Sequence, residues 1–142
     1  MNWRQVLLLA VTGTALVVAF FVDRIPQDPA YHAFLDGRRI FGVQNFWNVA
    51  TNLPFLAIGV AGLLHAREAA LPRHFIVYCA GVALVALGSA WYHLAPSNPA
   101  LVFDRLPMTI AFMAMFAAVV ADRVSLPFGQ ALLWPCVAVG IG

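Results

Sequence analysis

Long apolar stretches with few or no charged side chains restrict what this chain can fold into. A helix needs about 20 apolar residues to cross a hydrocarbon core about 30 Å thick. Five stretches approach that length, at residues 5–22, 40–64, 75–93, 101–121 and 126–142. The sequence therefore predicts an all-α fold, a polytopic transmembrane helix bundle that forms one domain over residues 1–142.

Composition excludes several other classes of protein. The chain is 63% hydrophobic and 10% charged, whereas a soluble domain is about 25% charged. The net charge of +2 comes from scattered arginines and acids, so we expect no nucleic-acid partner. Cys79 and Cys136 lie inside apolar runs and do not form a disulfide framework. These features indicate an integral, multi-pass protein whose constant partner is the lipid bilayer.

The first and last apolar runs each bear on where the mature protein begins and ends. The run at residues 5–22 resembles a signal peptide, but it is long for one and lacks a typical cleavage site before Asp23. A retained extra N-terminal helix is therefore favoured. The last run stops without a polar flank, so we expect this chain to be the first part of a longer, truncated protein. The arginines divide equally between the two faces, which leaves the orientation open.

One cluster of polar residues lies inside the second predicted span. Asn45, Asn48 and Asn52 are spaced by three and four, so they share a helical face, with Thr51 beside it. Polar groups in a span often mark function, although interhelical hydrogen bonds worth about 0.6–2 kcal/mol are an alternative explanation. The stripe predicts that Asn48, Thr51 and Asn52 line a pocket. Pro54 is expected to kink this helix.

A second cluster joins two predicted spans. Ser89 and His93 are one helical turn apart, and Asp104 follows where the next span begins, at the same membrane face. A hydroxyl, an imidazole and a carboxylate are the groups of a metal-assisted hydrolytic site. Two alternatives remain: His93 as an interfacial residue and Asp104 as a helix N-cap with Pro107 in the first turn. His32, in the preceding loop, is a further candidate ligand.

Three short motifs resemble those of the alkaline ceramidase family, which belongs to a seven-helix superfamily with the progestin and adipoQ receptors. F-W-N-V-A-T-N-L at residues 46–53 is similar to the family's F-W-N-x-x-S-N-L, with Thr51 for serine. G-S-A-W-Y-H at residues 88–93 resembles G-S-x-x-(F/Y)-H. D-R-L-P-M at residues 104–108 resembles D-E-L-P-M, with Arg105 for glutamate.

The resemblance implies a zinc-dependent amidase with a seven-helix core, of which about five spans are present. By motif position, His93 would be a zinc ligand, Ser89 would contact the water on the metal or the oxyanion, and Asp104 would orient the water or act as general base. The other two histidine ligands are expected downstream of residue 142, so this part alone is predicted to be inactive. The family's calcium site is doubtful here, because Asn45 replaces its glutamate.

The predicted function is hydrolysis of a linear amide, the N-acyl bond of ceramide or a related lipid. A lipid with an acyl chain in the bilayer and an amide at its surface suits a site at the end of a helix bundle. The competing hypothesis is a non-catalytic, receptor-like or scaffolding member of the same superfamily. A third is an unrelated membrane protein with coincidental motifs. Ser89 and Asp104 favour the enzyme, because a structural zinc site needs neither.

Overall fold

The computed structural model describes residues 2–23 and 27–141, and these residues form helices joined by loops, of which the one before α2 is long. The all-helical prediction is confirmed: the described residues contain a single isolated β-bridge, Ile40 to Val43, and no strand. A 3-10 turn at Pro29–His32 interrupts the first long loop. The helices are α1 (Trp3–Phe20), α2 (Phe46–Ala50), α3 (Leu53–Glu68), α4 (Arg73–Leu94), α5 (Asn98–Arg123) and α6 (Leu126–Ile141).

Four of the described segments are long and apolar enough to cross a membrane: α1, α4, α5 and the combined segment Phe46–Glu68. The helix in the second predicted span starts at Phe46 and not at Ile40. The preceding residues turn instead, with left-handed backbone angles at Phe41, Gly42 and Asn45. The last helix, α6, has 16 residues and is shorter than the other segments.

The combined segment breaks between α2 and α3. Thr51 ends α2, and Asn52 begins α3 with Pro54 in the first turn. Proline fits there because a first-turn N–H has no partner within the helix. The side-chain nitrogen of Asn52, Nδ2, donates to the backbone carbonyl of Asn48 at 2.8 Å. This local bond competes with the hydrogen bonds of the helix backbone. The expected kink is therefore a complete interruption of the helix.

Small residues hold α3 to α6 together. Apolar side chains gain nothing by leaving lipid for a protein interior, so membrane helices associate through close packing and hydrogen bonds. At each of these interfaces, a side chain added to a glycine would collide with the neighbouring helix. The glycines and their neighbours are Gly59 with Ala83, Gly62 with Cys79, Gly81 with Ala111, Gly88 with Phe103, and Gly129 with Ala121. By contrast, α1 has no buried residue.

The Gly88 contact has a specific cause. Pro107, inside α5, has no N–H to donate to the carbonyl of Phe103 one turn earlier. That carbonyl instead faces Gly88, where an added Cβ would overlap the oxygen and lie 3.4 Å from the Pro107 ring. The missing side chain lets α4 cover an oxygen that α5 leaves unbonded. The contact also fixes how the next residues on each helix, Ser89 and Asp104, lie relative to each other.

We predict that Gly88→Ala destabilises the protein by about 1–3 kcal/mol, the usual effect of overpacking, because a methyl group cannot fit beside the Phe103 carbonyl. The control is Gly13→Ala in α1, where no atom lies within 4 Å of an added Cβ. Unfolding titrations in mixed micelles measure both free energies. Equal stability of Gly88→Ala and the wild type would show that the close contact is absent.

Candidate active site

The α4–α5 turn brings together the three residues of the second polar cluster. Ser89 and His93 lie near the end of α4, and Asp104 lies one residue after the Gly88 contact on α5. Ser89 is 8% exposed, and the other two side chains are half-buried. Asp104 follows the short connection between α4 and α5, so it lies at the same end of the bundle as His93. A hydroxyl, an imidazole and a carboxylate therefore share one end of the bundle.

Asp104 does not cap a helix. The N-cap of α5 is Ser97, whose hydroxyl accepts a hydrogen bond from the Ala100 backbone at 3.3 Å. The capping alternative for Asp104 is thus wrong, because α5 begins at Asn98, six residues before Asp104. Asp104 makes no side-chain hydrogen bond or ion pair with any residue that the structure describes. Its carboxylate is available to a ligand.

His93 carries an unusual buried atom. Its Nδ1 is shielded from solvent and has no hydrogen-bond partner among residues 2–23 and 27–141. A buried polar atom without a partner is destabilising by about 1–3 kcal/mol and calls for an explanation, such as an ion that it binds. A metal ion would supply that partner. In the described part of the chain, however, no group of three His, Cys, Asp or Glu side chains could hold one.

His32 is committed elsewhere. Its Nδ1 lies 2.9 Å from the Tyr92 hydroxyl, and its Nε2 lies 2.9 Å from the side-chain oxygen of Asn98. An amide oxygen only accepts, so Nε2 donates to it and Nδ1 accepts from Tyr92 in the neutral ring. Both nitrogens are used, and His32 is not a free metal ligand. It ties the first long loop to α4 and to the start of α5.

Residues 27–45, here named the cap loop, hold the end of α4. The ring of Phe34 packs against His93, with centroids 4.7 Å apart, and against Tyr92 at 5.6 Å. The amide nitrogen of Asn45 donates to the His93 carbonyl at 2.8 Å. Asn45 has a left-handed backbone and is 7% exposed. The loop thereby fixes both the ring and the backbone of His93.

Charged side chains secure the cap loop at two places. The Asp36 carboxylate accepts from the Trp47 backbone at 3.2 Å and pairs with the Arg38 side chain. The hydrogen bond from Arg38 holds the pKa of the Asp36 carboxyl below its usual range. On α5, Arg105 donates to the Gln27 side chain at 2.9 Å and lies over the Tyr31 ring. The loop is thus attached to α2, α4 and α5.

The asparagine stripe does not form one pocket wall. Thr51 is exposed and donates to the Asn48 carbonyl at 3.2 Å, while the Asn48 amide donates to the carbonyl of Asp36 at 3.3 Å. Only Asn52 of the three lines an apolar groove of about 300 Å³ between α2–α3 and α4. Asn48 and Thr51 do not line this groove, since their side chains donate to local backbone carbonyls, and their pocket-lining role stays a prediction.

Sequence reasoning missed the residues that orient His93. Phe34 is half-buried against His93, and no motif or spacing in the sequence points to it. Tyr92 is 2% exposed and was not singled out, although it is adjacent to a candidate ligand. Only the folding of the cap loop onto α4, across about 60 residues of sequence, makes these contacts visible. The hydrogen bond from Asn45 to the His93 carbonyl likewise does not follow from the helical spacing of the asparagines.

Comparison with known proteins gives one match. The family model described as Ceramidase matches residues 42–141. This range includes both polar clusters and all of α2 to α6. No curated protein and no solved structure is similar enough to the chain to count as a match. The matched range leaves out α1 and most of the cap loop.

We predict that Asn45→Asp lowers the free energy of unfolding by about 1–3 kcal/mol. The change replaces the buried donor with a carboxylate facing the His93 carbonyl, and an unmade buried hydrogen bond has that magnitude. Aspartate tolerates the left-handed backbone, so backbone strain is not altered. Asn2→Asp, the same change at the exposed N-cap of α1, where the side-chain oxygen only accepts from the Gln5 backbone, should shift stability by less than about 0.5 kcal/mol. Equal effects of both variants would contradict the role of the Asn45 contact.

Proposed function

The chain belongs to the ceramidase family, and on that premise we propose that it is a zinc-dependent amidohydrolase that cleaves the N-acyl bond of ceramide or a related lipid. Membership supports a hydrolase of ceramidase type and a lipid substrate at the level of the family. One observation supports the finer assignment: the buried Nδ1 of His93 has no hydrogen-bond partner among the described residues, at the end of the bundle where Asp104 also lies.

His93 fits the role of one zinc ligand. Neutral imidazole is a preferred ligand of zinc, and the cap loop already holds this ring through Phe34 and Asn45. The other ligands that a catalytic zinc needs are not among the described residues. When bound, zinc lowers the pKa of a water and polarises the amide carbonyl.

Asp104 is proposed as the general base and acid. Its carboxylate has no competing partner in the described residues, so it can accept the proton of the attacking water. It can then deliver that proton to the nitrogen of the leaving amine, which must be protonated to depart. A group that shuttles one proton in this way contributes about a hundred- to ten-thousand-fold in rate.

Ser89 is proposed to stabilise the oxyanion. Its hydroxyl lies one helical turn before His93 on the same face of α4, and it is largely buried. A hydroxyl donor directed at the developing negative charge is worth roughly 3 kcal/mol in a site that excludes water. The Gly88 contact next to it holds α4 and α5 at the spacing this role requires.

The surroundings suit a lipid amide. The groove that contains Asn52 also includes Leu56 of α3 and Ala86, Leu87 and Ala90 of α4, and almost all of its wall is apolar. Ala86 and Ala90 lie three residues before Ser89 and His93 on α4, so each shares a helical face with one of these polar residues, and an acyl chain in this groove would lead towards them. We propose that the groove takes an acyl chain of the substrate and leaves its amide at the helix ends.

The test is Asp104→Asn in the intact protein in nanodiscs that contain ceramide. We expect release of fatty acid to fall by at least about a hundredfold, because asparagine cannot accept a proton, while bound zinc stays at the wild-type level. Asp122→Asn at the other end of α5, where the exposed carboxylate pairs with Arg123, should keep full activity.

Three results would contradict the proposal. Unchanged hydrolysis by Asp104→Asn would remove the carboxylate from the mechanism. Loss of zinc together with activity would assign Asp104 to metal binding and leave the proton transfer unexplained. A wild-type protein that binds zinc and releases no fatty acid would favour the non-catalytic, receptor-like alternative.

A further inference from the structure

A polar cleft lies at the opposite end of the bundle from the candidate active site. It has a volume of about 420 Å³ and lies between the start of α4 and the side of α6. His74 in its wall and His93 are at opposite ends of α4, roughly 28 Å apart at 1.5 Å per residue. The cleft therefore cannot share a ligand with the candidate active site. Its wall consists of Leu71, Pro72, Arg73, His74, Gln130, Leu133 and Trp134.

The polar part of this wall suits an anion. His74 is 8% exposed, and its buried Nδ1 has no hydrogen-bond partner in the described residues. Arg73 contributes a guanidinium group that forms no ion pair within the same residues, and Gln130 contributes an amide. No carboxylate lines the cleft. Arginine without a neighbouring acid favours phosphate, which it can bind through two parallel hydrogen bonds.

The backbone adds to this preference. Pro72 precedes α4 and provides no side-chain cap, and the first turn of α4 contains no acidic residue. The first N–H groups of the helix and the positive end of its dipole are thus left for an outside acceptor. His74 provides an independent reason to place a ligand here, because it is a buried polar side chain without a partner.

The rest of the wall is apolar. Leu71, Leu133 and Trp134 flank the polar groups, and Leu133 is part of the helix core. Trp134, midway along α6, is mostly exposed, so its indole ring offers an apolar surface to an acyl chain. A free inorganic anion gains nothing from such a surface, whereas a lipid places its phosphate against Arg73 and its glycerol and chains against the apolar side.

We propose that this cleft binds the phosphate headgroup of an anionic phospholipid. Basic pockets between transmembrane helices bind such headgroups in general. The cleft would hold the lipid at the membrane face opposite the candidate active site, so this binding is separate from the proposed hydrolysis and does not depend on it.

The experiment counts lipids retained by the purified protein in native mass spectra, with phosphatidylglycerol and phosphatidylcholine as probes. We expect the protein to retain phosphatidylglycerol in preference to phosphatidylcholine. Arg73→Gln should weaken phosphatidylglycerol binding about tenfold or more, the effect of losing one charge-assisted contact. Arg123→Gln is the matched control: it removes an exposed arginine at the same face that pairs with Asp122, and it should bind as the wild type does.

Arg73 is exposed, so we expect Arg73→Gln to leave the fold intact and to test the site directly. Equal retention of the two lipids would overturn the proposal. So would equal weakening by Arg73→Gln and Arg123→Gln, which would show only a general attraction to charge. If millimolar inorganic phosphate displaces phosphatidylglycerol from the wild type, the cleft is a site for free anions and the lipid assignment is wrong.

Discussion

The structure depends on the close approach of Gly88 to the carbonyl of Phe103. In a lipid environment an unbonded carbonyl is costly, and Pro107 leaves this one without its helical donor. A glycine opposite is the residue that lets another backbone cover it. The candidate site follows from this arrangement, because Ser89 and Asp104 are the neighbours of the two residues in contact. The site therefore rests on the same contact that stabilises the bundle.

The cap loop provides the second constraint. A helix of the length of α4 would normally expose its last carbonyls at the membrane surface, but here Asn45 bonds the carbonyl of His93. His32 links Tyr92 to Asn98, and Phe34 covers the His93 ring. The candidate ligand is thus fixed by residues far from it in sequence. Rigid support of this kind is what a reactive side chain needs in order to act in one geometry.

The sequence predicted the parts of this picture that depend on local pattern. Apolar runs predict helices, and the spacing of Ser89 and His93 places them on one face of α4. The short connection to α5 brings Asp104 to the same end. The beginning of α2 at Phe46 was not predictable in this way, because residues 40–43 continue the apolar run while the backbone is left-handed at Phe41, Gly42 and Asn45. The roles of His32 and Asn48 depend on partners that only the folded cap loop supplies.

We propose that His93 and Asp104 act together in one site, whose position is set by the α4–α5 contact. The most direct test is a double-mutant cycle on the rate of ceramide hydrolysis by the intact protein, with His93→Ala, Asp104→Asn and both changes combined. Residues that act as a unit have grossly non-additive effects. We expect the hydrolysis rate of each single variant to fall to nearly the same residual rate as that of the double variant. Two independent losses that multiply in the double variant would contradict it, because the two side chains would then belong to separate sites.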